Sequence, residues 1–334
     1  MTTATNTLAP STRRAKSSKK RSSAAEPSAG EVVLQALHAK TQAMQEAERK
    51  VRHGDPEAVA QMRVADRQLR CTLRGFSRIL DPQATRPVLA ELAWLGRQLG
   101  EENDTNATIK ELRRHYEALP PELIVGPVEI QARRELDQLA AQGTDTTQAT
   151  IASPRYTALR QELDRLLADP PLTERAARPA ATELPKSMAK ALRKLDRHLV
   201  TAQALPAGPE RDEALHEARK ADKLLRYVTE IATPVIGKPA RRLGRQAKKL
   251  QDLLGDYQDA VVTRPLLYKL GAAAAANGQP IGTYHLVDAL EQVRTERVLA
   301  KLPDRVSRLH DSGAWLSSTA TPTTTPGATG PDRD

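Results

Sequence analysis

Glu213-Ala-Leu-His-Glu-Ala-Arg-Lys-Ala-Asp-Lys-Leu-Leu-Arg-Tyr227 contains no Pro, Gly or Thr, and its residues favour helix. At 3.6 residues per turn, His216, Arg219, Lys223 and Arg226 fall in one sector less than a quarter-turn wide. Lys220 and Tyr227 lie at its edge. Ala214, Ala218, Ala221, Leu225 and Val228 point the other way and give the helix a face to bury. Cationic or titratable heads therefore form a ladder rising about 5 Å per turn. A solvated helix face is the ordinary account of a charge run, but such a face normally mixes signs. No carboxylate lies within this sector, and Asp222 sits just beyond it.

The ladder has an earlier counterpart. Glu57-Ala-Val-Ala-Gln-Met-Arg-Val-Ala-Asp-Arg-Gln-Leu-Arg70 aligns with Glu213 to Arg226 at one constant offset, and Arg67 corresponds to Lys223. A second collinear match sets Leu95, Leu99-Gly100 and Asp104 against Leu250, Leu254-Gly255 and Asp259. Two matches at nearly one offset imply an internal duplication. The expected fold is all-α: two pseudo-symmetric helical bundles packed around a basic central surface. The copies differ in charge, since His216 corresponds to Ala60 and Lys220 to Val64. Arg241, Arg245 and Lys248 share a face of a later helix, where the first copy has Arg86, Ala90 and Ala93. The first copy keeps its own row of Arg63, Arg67, Arg70 and Arg74.

Composition bounds the rest. In 334 residues aromatics are only 3%, so the core must be built from Leu, Ala, Val and Ile. Cys71 is the one cysteine, which excludes an internal disulfide and fits a reducing compartment. The first thirty residues lack an apolar run, and nowhere do eighteen apolar residues follow one another. A soluble cytoplasmic protein with no membrane span is expected. The net charge is +10. Residues 31–175 contribute −2 and residues 176–312 contribute +8, so the basic bias of the folded part belongs to its second half. Clustered cations of this kind imply a polyanionic partner.

In chain order, residues 1–30 read as a disordered basic tail around Arg13-Arg14-Ala-Lys16-Ser-Ser-Lys19-Lys20-Arg21. The first copy spans 31–175, with helices expected over 31–52, from Pro56 to about Leu80, from Pro87 to Leu119, and near 128–142 and 155–168. Residues 169–185 hold four prolines and read as a linker. The second copy spans 176–312, with helices near 186–204, 209–232, 238–270 and 280–301, parted at Pro206-Gly208-Pro209, Pro234 and Gly278. Residues 313–334 read as a disordered Ser/Thr/Pro-rich tail.

Three pieces, Gln61-Met-Arg-Val-Ala-Asp-Arg-Gln-Leu-Arg70, Leu215-His-Glu-Ala-Arg-Lys-Ala-Asp-Lys-Leu-Leu-Arg-Tyr227 and Leu250-Gln-Asp-Leu-Leu-Gly-Asp-Tyr-Gln-Asp259, make the chain resemble the CHAD family, the conserved histidine α-helical domain. The resemblance covers roughly 31 to 310. It implies a two-bundle helical fold whose basic central surface binds inorganic polyphosphate, and association with polyphosphate granules. The chain departs from the family pattern at Ala60, where His is usual, and at Gln68, Asn103 and Leu224, where Arg is usual. The main anion contacts are therefore expected on the second copy.

Polyphosphate carries about one charge per phosphate, and a row of guanidinium and ammonium groups matches it by charge and repeat. The expected contacts are Arg219, Lys223, Arg226, Arg241, Arg245 and Lys248, with Lys220 at the edge and Arg63, Arg67 and Arg70 behind them. His216 donates one hydrogen bond when neutral and two when protonated. Asp259, Asp104 and Tyr227 are supporting candidates, Asp259 by holding an Arg side chain in place. No cofactor or metal is expected. A phosphohydrolase finds little support, because there is no P-loop, no His-Glu-x-x-His and no Glu-x-Glu-x-Lys strand. Non-specific nucleic-acid binding and a helical scaffold that docks acidic proteins remain as alternatives. The shortage of aromatics counts against single strands.

Overall fold

The computed structural model describes residues 26–55, 57–100, 112–126, 130 and 146–318. Among the described residues, eight long helices carry the fold: α1 (Ala29–Arg52), α2 (Ala58–Gly75), α3 (Pro82–Gln98), α4 (Pro154–Ala168), α5 (Ala180–Ala204), α6 (Pro209–Ile236), α7 (Lys238–Ala276) and α8 (Gly282–Gly313). Residues 112–118 and 146–152 are also helical. Among the described residues the only β pairing is two isolated bridges, Ser28 with Pro179 and Leu80 with Leu172. The fold is all-α. No described helix is long and apolar enough to cross a membrane.

Local chemistry sets the helix ends. α1 starts at Ala29, inside the stretch read as tail, because Ser28 and Glu31 form a reciprocal capping box. Asp81 caps α3 by accepting from the Gln83 N–H at 2.8 Å, and Pro82 opens its first turn, five residues before the expected start. Between α6 and α7 the chain reverses at Gly237, whose φ of +78° suits glycine, and Pro234 is absorbed within α6. α7 then runs through Gly255 and Pro265 for 39 residues, about 58 Å.

The 169–185 stretch is a strap rather than a loose linker. Pro171 and Arg178 accept backbone hydrogen bonds from Asp81 and Ala29, and Thr173 donates to Ile79. α5 begins at Ala180 and places Glu183, fully buried, against Arg78 and Arg178 (3.6 Å each) and Lys186 (2.8 Å). The chain also stays packed past residue 312, since Trp315–Ser318 form a last helical turn with Leu316 buried. The two expected tails and the 128–142 helix otherwise fall outside the described residues.

One continuous apolar cluster runs from Ala29 to Leu316 and joins both halves of the sequence. A second cluster seats Leu112 and Tyr116 on Leu267, Leu270, Ala274, Tyr284 and Val287, at the far ends of α7 and α8. Thr283 ties the following loop down, accepting from the Val125 N–H at 2.8 Å and donating to the Leu123 carbonyl at 3.1 Å.

The contact that matters for function is the crossing of α2 over α6. Gly75 makes it possible: a Cβ there would stand 2.3 Å from Val228 Cγ2 and 3.4 Å from Leu224 Cδ1. Val228 is buried and β-branched, so it cannot swing aside. Gly75→Ala is therefore expected to destabilise the protein by about 1–3 kcal/mol, read as a lowered midpoint of thermal unfolding. A midpoint equal to that of the parent protein would show that the crossing has room to relax.

Candidate functional site

α2 presents Arg63, Arg67, Arg70 and Arg74 along one side, and α6 presents His216, Arg219, Lys223 and Arg226. The crossing sets these rows side by side. Lys223 lies within electrostatic reach of Arg219 on its own helix and of Arg67 and Arg63 on α2. Cys71 lies at the same junction, among Arg70, Arg67, Arg74 and Lys223. Most of these groups are half-buried; Arg74 is exposed. Among the described residues, neither Arg67 nor Lys223 forms an ion pair or a side-chain hydrogen bond. Burial, followed by the charges of Arg219 and Arg67, pushes the Lys223 ammonium down to about 7.

Two of the arginines lie beside glycines. The Arg219 guanidinium lies 3.5 Å from where a Cβ on Gly255 would stand, and Arg63 Nη1 donates to the Gly100 carbonyl at 3.3 Å. These are the two glycines of the Leu99-Gly100 and Leu254-Gly255 match. Arg70 lies over Gly96 and binds buried Asp66 at 2.7 Å. Burial still lifts the Asp66 carboxyl to about 6 against the pull of Arg70 and Arg67. Arg226 instead stacks on the Tyr227 ring, 4.2 Å from its centroid. The Nδ1 of His216 is buried without a partner.

α7 runs antiparallel to α6. Tyr257 donates to Asp212 at 2.5 Å near one end of the pair, and Gly244 packs on Thr229 towards the other. That register sets Lys248, Arg245 and Arg241 level with the stretch of α6 that starts near Lys223. All three are exposed. Two expected contacts have local partners: Lys220 pairs with Glu217, beside His198, and Lys248 pairs with Asp252 at 2.6 Å. Asp259 is exposed one turn beyond Gly255 on the uninterrupted α7, and Asp104 lies outside the described residues. No group of three or more metal-ligating side chains occurs among the described residues.

Sequence reasoning missed the glycines beside the arginines and the buried carboxylates. The signal for the glycines was the Leu-Gly pair repeated in both copies. The signal for Asp66 and Asp222 was an Asp four residues before an Arg, each preceded by Ala.

The CHAD domain family model matches residues 35–268, most of the chain. The chain belongs to that family. The chain is 31% identical over 271 residues to uncharacterized proteins of two Mycobacterium tuberculosis strains, CDC 1551 and H37Rv. The alignment covers 79% of this chain and 52% of those proteins, so the chain spans about half the length of the curated relatives it matches. Among solved structures, it resembles PptA from Streptomyces chartreusis, with a TM-score of 0.65 and 21% identity, over 84% of this chain and 99% of that one. It also resembles the CHAD domain of the plant Ricinus communis, with a TM-score of 0.60 and 21% identity, over 87% and 93% of the two chains. Both similarities establish the fold.

The depressed ammonium has a stability consequence. A lysine whose folded pKa is about 7, against an ordinary 10.5, destabilises the fold fully below pH 7, and the penalty fades as pH rises from 7 towards 10.5. Lys223→Met, which keeps the stem and removes the charge, should raise the thermal midpoint more at pH 6 than at pH 9. A gain that does not change with pH would mean that Lys223 is solvated in the folded protein.

Proposed function

We propose that this CHAD domain binds inorganic polyphosphate without turning it over, along the crease where α2 and α6 cross and onward over α7. One observation supports this most: Arg67 and Lys223, from helices far apart in sequence, meet half-buried, and among the described residues neither is in an ion pair. Groups placed at such electrostatic cost are those a ligand neutralises. Arg presents a planar donor fork to two phosphate oxygens, and Lys adds a mobile point charge. Charge-assisted hydrogen bonds contribute about 1.5–3 kcal/mol each, so tight binding requires many in series and affinity should grow with chain length. On this reading the protein associates with polyphosphate granules in the cytoplasm. Gly100 and Gly255, matched in sequence and each beside an arginine, also support dividing the chain near residue 175 into two related copies.

The test is a competition titration in which labelled long-chain polyphosphate is displaced by equal phosphate concentrations of short polyphosphate, DNA and RNA, at two salt levels. Long chains should compete best at both levels. DNA competing as well as long polyphosphate would point instead to non-specific nucleic-acid binding. Neutralising Arg219, Lys223 and Arg226 together should cost more affinity than neutralising Arg63, Arg67 and Arg70. The reverse order would make the first copy the main contact.

Binding should also take up a proton. The anion favours the charged form of Lys223, so at pH 8 the complex holds a proton the free protein lacks, and affinity falls as pH rises through 7. Calorimetry at pH 8 in buffers of different ionisation enthalpy should report this uptake, and Lys223→Arg should remove it. A buffer-independent enthalpy would place Lys223 outside the site.

A further inference from the structure

Arg70 and Arg226 hold matching places in sequence, each four residues after a fully buried Asp, in Ala65-Asp66-Arg67-Gln68-Leu69-Arg70-Cys71 and Ala221-Asp222-Lys223-Leu224-Leu225-Arg226-Tyr227. Their settings differ. Arg70 is closed onto Asp66, with Nη2 at 2.7 Å and Nε at 2.9 Å from Oδ2. Arg226 forms no ion pair with Asp222, and both Asp222 oxygens are buried without a hydrogen-bond partner. Its guanidinium lies instead on the face of Tyr227, where α2 has Cys71.

The neighbouring helix gives a reason. Arg70 fits beside Asp66 because α3 offers Gly96 beneath it: a Cβ there would stand 2.8 Å from Arg70 Nη2 and 2.9 Å from Asp66 Oδ2. At the offset that matches Gly100 to Gly255, Gly96 corresponds to Gln251. A side chain in that position leaves no space for a guanidinium placed as Arg70 is. Gln251 Oε1 is itself buried and unpartnered. On that correspondence Gln251 would take the space that the Arg70 guanidinium occupies in the first copy, while Arg226 rests on an aromatic ring.

We propose that the two arginines form a closed and an open version of one latch, and that Tyr227 and Gln251 are positioning residues which keep Arg226 off Asp222 and ready for phosphate. The inference rests on polyphosphate binding at the α2–α6 crease. It assigns the asymmetry between the copies to the freedom of one guanidinium as well as to the number of cations. Burial holds the Asp222 carboxyl well above the usual carboxylate range, Arg226 opposes this, and the nearby Asp252 charge adds to it.

The test is equilibrium titration of the full chain with long-chain polyphosphate. Arg226→Ala should weaken binding roughly tenfold or more, as expected for a charge-assisted contact, and Arg70→Ala less than about threefold. Asp66→Asn should open the first latch, so affinity rises and Arg70→Ala in that background becomes as costly as Arg226→Ala. Tyr227→Leu should weaken binding several-fold, while Tyr227→Phe, which keeps the ring face, should bind like the parent chain. Gln251→Gly should let Arg226 close onto Asp222 and weaken binding, and adding Asp222→Asn should restore it. Circular dichroism confirms folding of each variant, and if Asp66→Asn fails to fold, the Tyr227 and Gln251 arms still decide. Equal losses from Arg70→Ala and Arg226→Ala, or a Tyr227→Leu protein that binds like the parent, would overturn the latch. A parent chain that binds no polyphosphate would overturn the proposed function instead.

Discussion

Repulsion between cations on α2 and α6 is the constraint around which the rest of the molecule is arranged. Arg63, Arg67, Arg219 and Lys223 would separate if the helices were free to move, and the ammonium at the centre already gives way towards neutrality. Apolar packing opposes that separation. Val228 and Leu224 seat against Gly75, and both helices sink their other faces into the continuous cluster that joins the two halves. Burial of Leu, Val and Ala side chains is non-directional and large in sum, so it can hold like charges together against their repulsion. The strap from Pro171 to Arg178 adds a second restraint, hydrogen-bonding to the start of α1 and the turn before α3.

The carboxylates near this cluster are placed so that they do not cancel it. Asp66 neutralises Arg70 beside the α3 backbone, and Glu217 and Asp252 take up Lys220 and Lys248 at the periphery. Asp222 lies within electrostatic reach of Arg226 and Lys223, yet burial opposes its ionisation. The net result is a positive crease flanked by two paired lysines. That pattern keeps a strong field in the crease while limiting repulsion across the surface as a whole.

Helical periodicity made much of this legible in the sequence. The ladders on α2 and α6, their apolar backs and the all-α class follow from residue spacing alone. Lys220 with Glu217 and Lys248 with Asp252 were readable too, at the i,i+3 and i,i+4 separations that meet on a helix. The meeting of Arg67 with Lys223 was not, because nothing local links residues so far apart in the chain. Backbone pairing hid the strap: Ser28 with Pro179 and Leu80 with Leu172 leave no side-chain pattern, and the prolines pointed to a loose linker. At the end of α6, Pro234 attracted the expected boundary, while the left-handed Gly237 makes the turn. The state of the two latches turns on a Gly96 to Gln251 difference on other helices, which gains meaning only once the helices are docked.

The shape of the crease bears on which polyanion it suits. Packed helices lie about 8–10 Å apart, and the central groups of this site are half-buried between two of them. A duplex is wider than its own major groove of about 12 Å, so it would rest on the rim and reach the exposed Arg74, Arg241 and Arg245 more readily than Lys223. A single nucleic-acid strand is thin enough to enter, but it gains much of its affinity from bases stacked on aromatic rings. The one aromatic placed in the row is Tyr227, which is buried and has a face covered by Arg226. A polyanion with no bases loses nothing by that arrangement. The same features that leave little for a nucleobase are therefore in line with the proposed binding of a bare phosphate chain.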